Sequence, residues 1–73
     1  MRMYLVRARQ KLGYSQRRVA KEAGVSYQHY SMFENGTRGK QVSLMIVGKI
    51  SKVLEIPLEV FYVLEKDYLE SLN

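Results

Sequence analysis

The sequence holds no cysteine and no tryptophan, and it has one proline and one histidine among its 73 residues. Without cysteine, neither a disulfide framework nor a thiolate metal site can support the fold. A single histidine, His29, leaves too few ligands for a structural zinc, and no cofactor is expected. No run of roughly eighteen apolar residues occurs, so nothing reads as a membrane span. Arg2, Arg7, Arg9 and Lys11 interrupt any apolar stretch at the N-terminus, which is unlike a secretory signal. A soluble, cytoplasmic protein with no membrane partner and no small-molecule ligand is the expectation. Strand signals are also missing, because no segment sustains apolar–polar alternation between turn residues.

A chain of this length forms one domain, residues 1–73. Such a domain buries only about 60% of its unfolded surface, so it depends on tight packing or on a second copy. The net charge of +5 is unevenly spread. Residues 1–42 carry nine basic side chains against two acids, a net of +7, whereas residues 43–73 carry three lysines against five acids, a net of −2. A basic half beside an acidic half suggests a surface turned toward a polyanion.

Apolar residues recur at helical spacing, interrupted by glycines and the proline. The first helix is expected from about Met3 to Lys11, with Leu5, Ala8 and Leu12 inward and Gly13 ending it. Ser15 reads as the N-cap of a second helix, Gln16 to Ala23, which turns Val19, Ala20 and Ala23 inward and stops at Gly24. Ser26 caps a third, Tyr27 to Glu34, with Tyr30 and Phe33 on its inner face. A polar, basic loop follows Asn35-Gly36. Ser43 opens a fourth helix to Leu54, carrying Leu44, Val47, Ile50, Val53 and Leu54. Pro57 suits the first turn of a fifth, about 57–71, whose apolar stripe is Leu58, Phe61, Leu64, Tyr68, Leu69 and Leu72. The expected fold is therefore all-α, a five-helix bundle.

Within it, residues 16–35, QRRVAKEAGVSYQHYSMFEN, stand out. Two short helices meet at a tight turn through Gly24-Val25, and small Ala20 allows them to cross closely. The third helix is held away from the body with its first turn free, a shape that fits the roughly 12 Å major groove of B-DNA. With LVRARQKLGYSQ before it and VSLMIVGKISKVL after it, the segment resembles the phage-repressor and Cro-type helix-turn-helix family. The resemblance runs from about Leu5 to Phe61 and rests on LGYSQ, VAKEAGVS and FENG at these separations. Two departures are an aromatic Tyr30 at an inner position where aliphatics are commoner, and a longer, proline-free loop, TRGKQV.

The resemblance implies a DNA-binding regulator, and it implies roles. Gln16 would bond a phosphate, through its side chain or its first-turn amide, at the start of the second helix, where the helix dipole favours an anion. Tyr27, Gln28, His29 and Met32 would face the bases, and Ser26, the cap before them, would lie in the DNA-binding surface. Glutamine can pair with adenine N6 and N7, and a tyrosine ring or methionine can lie against a thymine methyl. Tyr27 could instead place its hydroxyl on a phosphate, and Met32 could be half in the core. Arg17, Arg38 and Lys40 flank the helix as phosphate ligands. The resemblance further implies an ion pair, Arg9 with Glu34, which keeps an acid near the reading helix from repelling DNA.

Leu64, Tyr68, Leu69 and Leu72 extend the apolar stripe beyond Phe61 and suggest a two-fold dimer contact; the other possibility is that this helix folds back on its own core. In the dimer, Glu65, Asp67 and Glu70 would lie away from the DNA and account for the charge split. Other classes fit less well. An enzyme lacks a nucleophilic cysteine, a phosphate-cradling glycine loop and paired carboxylates. A protein-interaction module that does not bind DNA leaves the basic half without a use, whereas an antitoxin or controller protein of the same fold would still bind DNA and stays open as the alternative. An RNA-binding sheet platform is absent.

Overall fold

Each helix starts and stops where local chemistry dictates. In the computed structural model, which describes residues 1–36 and 43–72, α1 spans Met3–Leu12, α2 Gln16–Ala23, α3 Tyr27–Asn35, α4 Leu44–Val53 and α5 Leu58–Ser71. No strand occurs among the described residues. The hydroxyls of Ser15, Ser26 and Ser43 accept bonds from the amides of Arg18 (3.1 Å), His29 (3.0 Å) and Met45 (3.2 Å). These are first-turn donors that a helix cannot satisfy itself, and each such cap contributes about 1 kcal/mol. Gly24 ends α2 and Gly36 ends α3 at φ 73° and 76°, where a side chain would be strained. Pro57 precedes α5 as its N-cap, and its carbonyl accepts from Val60 and Phe61 at 3.0 and 2.9 Å.

The centre of the bundle is Leu5, Val19, Ala20, Ala23, Tyr30, Phe33, Ile50, Leu54 and Phe61, none more than 3% exposed. α2 lies in the middle, packed against α3 and α4, while α1 packs on α3 and α5 on α4. Ala20 is 1% exposed, and its lack of bulk lets α2 approach its neighbours. The rings of Tyr4 and Phe61 meet edge to face, with centroids 5.5 Å apart, and so join α1 to α5. No described helix is long and apolar enough to cross a membrane.

The apolar stripes expected for the last two helices need correction at one end. Leu44 and Leu58 are 82% and 54% exposed rather than inward. Each opens its helix, so it overhangs the core that the later turns cover. Together with Val47, Phe61, Tyr62 and Leu69 they line an open apolar groove between α4 and α5.

Candidate nucleic-acid interface

α3 is divided into a held face and a presented face. Tyr30, Phe33 and Glu34 are buried, while Tyr27, Gln28 and His29 are exposed in its first turn. Ser26 is exposed, and its hydroxyl fixes the start of the helix through His29 N–H. Met32 is half-buried one turn beyond Gln28, and with Ser26, Gln28 and His29 it borders a shallow concavity. Arg17, exposed in the first turn of α2, lies with its guanidinium 4.2 Å from the centroid of the Tyr27 ring. Arg38 and Lys40 fall outside the described residues.

Glu34 anchors the far end of this helix. Its carboxylate is 1% exposed and takes a forked pair of bonds from Arg9, Nε to Oε1 at 2.8 Å and Nη2 to Oε2 at 3.0 Å. Tyr30 donates its hydroxyl to Oε1 at 2.9 Å, and the Gln16 side-chain amide donates to Oε2. Four donors thus fill the carboxylate's acceptor sites. Burial alone would push its pKa up, but the bonds from Arg9, Gln16 and Tyr30 and the Arg9 charge outweigh it and hold the carboxyl below its ordinary range. Arg9 also donates to the Tyr14 carbonyl at 3.1 Å, which anchors the turn before α2. One buried charge therefore ties α1, the start of α2 and α3 together.

This arrangement explains the unusual ring at position 30. Tyr30 is fully buried, and its hydroxyl has work that an aliphatic side chain could not do. Burial and the adjacent Glu34 push its pKa well above the ordinary phenol value, so it stays a donor. Of the two Gln16 groups the resemblance offers to a phosphate, the side-chain amide bonds Glu34 inside the protein and supports the interface from behind.

A second buried charge was missed in the sequence. Arg2 is 1% exposed although it was counted among the surface basic residues. Its guanidinium forks onto Glu65 with both bonds at 2.8 Å, and donates to the Phe33 carbonyl at 2.6 Å. Its backbone N–H donates to the Glu34 carbonyl at 2.7 Å. The rings of Phe33 and Tyr68 lie 4.1 and 4.5 Å from its guanidinium carbon, and Tyr4 donates its hydroxyl to Glu65 at 2.5 Å. A cation at the C-terminal end of α3 complements the helix dipole there. Arg2 thus fastens the end of α3 to α5, and Tyr68 turns its ring toward its own chain. A signal did exist: Glu65 sits on the apolar stripe between Phe61 and Tyr68, and an acid there requires a buried cation.

The charge split must be corrected accordingly. Arg2 and Glu65 cancel inside, Arg9 is committed to Glu34, and Arg18 pairs with Glu22 at 2.7 Å while stacking on Tyr14. The basic side chains of residues 1–36 left on the surface are Arg7, Lys11, Arg17 and Lys21, besides the paired Arg18. Among the described residues, no group of three or more His, Asp or Glu is placed to hold a metal ion.

Two short helices about a glycine turn, the second braced from behind and exposing its first turn, define a helix-turn-helix fold. No curated protein and no solved structure matches the chain. The helix-turn-helix family, however, matches residues 5–61. The chain belongs to this family, and within it to the XRE-type DNA-binding regulators.

Proposed function

We propose that the protein is a sequence-specific regulator of transcription that binds duplex DNA in the cytoplasm and represses by occupying its operator. The observation that carries this is the division of α3: Tyr30, Phe33 and Glu34 are locked inside while Tyr27, Gln28 and His29 stand exposed in the first turn. A helix braced so firmly at its far end can enter a major groove without deforming. In this reading Ser26, Tyr27, Gln28, His29 and Met32 meet base edges or the sugars beside them, and Arg17, Arg38 and Lys40 meet phosphates. Gln16 acts there through its first-turn amide, since its side chain is committed to Glu34.

The active form is a two-fold dimer joined through α5. Supporting this are the exposure of Leu58 at 54%, Tyr62 at 68% and Leu72 at 54%, and the half-buried Leu64 and Leu69 on the same helix. Burying these side chains against a second copy would remove apolar surface from water. Two copies joined there could set their reading helices one duplex turn, about 34 Å, apart.

Selection of bound sequences from a random duplex pool tests the DNA reading, with salt titration of the selected duplex. A recovered two-fold motif and a steep loss of affinity with salt are expected. Recovery of no motif, with weak binding indifferent to salt, would overturn it. Analytical ultracentrifugation of the full chain and of Leu69→Glu tests the dimer. A monomeric wild-type chain that binds one half-site tightly would remove the dimer and leave the DNA reading in place.

A further inference from the structure

The residue that opens α3 is held from the side by a residue of another helix. The Arg17 guanidinium lies 4.2 Å from the Tyr27 ring centroid, and the stack bridges the turn between α2 and α3. Both residues are exposed, Tyr27 at 42%, so the contact lies on the face presented to solvent and is not part of the core. A cation over an aromatic face at an exposed site favours one ring rotamer by about two- to fivefold over its staggered alternatives. A stacked guanidinium also keeps its N–H donors pointing outward in its own plane, the geometry of a forked contact to phosphate. Arg18, the next residue, makes a comparable stack on Tyr14 at 4.0 Å, but its Nε is taken by Glu22 at 2.7 Å. Among the described residues, no carboxylate lies within ion-pair distance of Arg17.

We propose that Arg17 and Tyr27 act on DNA as one unit. Arg17 donates to a backbone phosphate and, through the same stack, fixes the Tyr27 ring against the 5-methyl group of a thymine. Arg17 is then a positioning residue that sets base preference without touching a base. Thymine is the fitting partner because the ring edge is apolar, and the major-groove methyl is the apolar feature of an A·T pair. The proposal rests on α3 being the reading helix.

The test uses the selected duplex with each thymine replaced in turn by deoxyuridine, which lacks the methyl. Binding is measured for the full-length wild type, Arg17→Ala, Tyr27→Phe and Tyr27→Ala. Circular dichroism melts check that each variant folds, as both positions are exposed. At one position per half-site the wild type should prefer thymine about fourfold, the ratio expected for burying one methyl. Tyr27→Phe should keep that ratio and Tyr27→Ala should bring it to one. Arg17→Ala should lower the ratio toward one and also reduce the salt slope by about one unit. If Arg17→Ala weakens thymine and deoxyuridine duplexes equally, Arg17 is only a phosphate ligand and the proposal is overturned. A wild type that shows no thymine preference anywhere overturns it as well, with the DNA reading intact. Binding of no duplex at all would bring down both.

Discussion

Replacing Glu34 with alanine should bring the domain close to unfolding. The substitution removes a carboxylate that is 1% exposed and accepts four hydrogen bonds. Breaking a buried ion pair from one side typically costs about 3–5 kcal/mol. Arg9, at 16% exposure and with the Tyr14 carbonyl as a remaining partner, is partly rescued by water, so its share falls at about 3 kcal/mol. The Tyr30 hydroxyl is not rescued, because Tyr30 is fully buried, and an unsatisfied donor there adds about 1–3 kcal/mol. The total of about 4–6 kcal/mol compares with an overall stability of about 4–11 kcal/mol for a domain of this length. At about 4–8 °C per kcal/mol, the midpoint should fall by at least about 15 °C. Thermal melts followed at 222 nm measure this for Glu34→Ala, Arg9→Ala and the double variant. The double should be clearly more stable than the sum of the single losses predicts, since it strands no charge. A fall of less than about 5 °C in Glu34→Ala, or strict additivity, would refute the account of Glu34 as the brace of α3.

Acid should weaken the wild type, through Glu34, only below the ordinary carboxyl range. Glu34 titrates below its ordinary value of 4.5, so its contribution is fully present above about that pH and is lost only as pH falls through the lowered folded value. In Arg9→Ala the sign reverses: the buried carboxyl is pushed up, and urea midpoints should rise from pH 7 to pH 5. Gly36→Ala should destabilise more than Gly24→Ala, although both glycines have φ near 75°, because a Cβ at Gly36 would run into the Tyr68 hydroxyl while that at Gly24 meets open space; Tyr68→Phe should recover much of the difference, as read by melting. Gln28→Ala should lose about 1–3 kcal/mol of binding and relax preference at one base pair per half-site while leaving the melt unchanged, and equal weakening on every duplex would remove Gln28 from base readout.

The helices were legible because their boundaries are local. Ser15, Ser26 and Ser43 bond amides within three residues, and the glycine stops act on the turn just before them. The inner faces of α2 and α3 followed from spacing, as did the exposure of Tyr27, Gln28 and His29. Leu44 and Leu58 were misplaced because periodicity gives the direction of a side chain and not the reach of the core it points toward. Arg2 was hidden for a different reason. Its partner lies 63 residues away, and no local pattern separates a buried arginine from a solvated one. The side-chain bond of Gln16 was hidden likewise, since a polar residue in a first turn suits a phosphate and a carboxylate equally well.

The clasp between Arg2 and Glu65 also bears on how the chain is made. During synthesis Arg2 is made before the rest of the domain, and its carboxylate partner Glu65 follows 63 residues later. Until then the arginine has neither its counter-ion nor the Tyr68 ring, and burying it would strand a charge. The residues of α3 can coil as they appear, but the end of the helix cannot acquire its final support on the ribosome before α5 is out. Closure is thus postponed until α5 has been made, and a nascent chain stalled before that point would carry an α3 not yet braced at its far end.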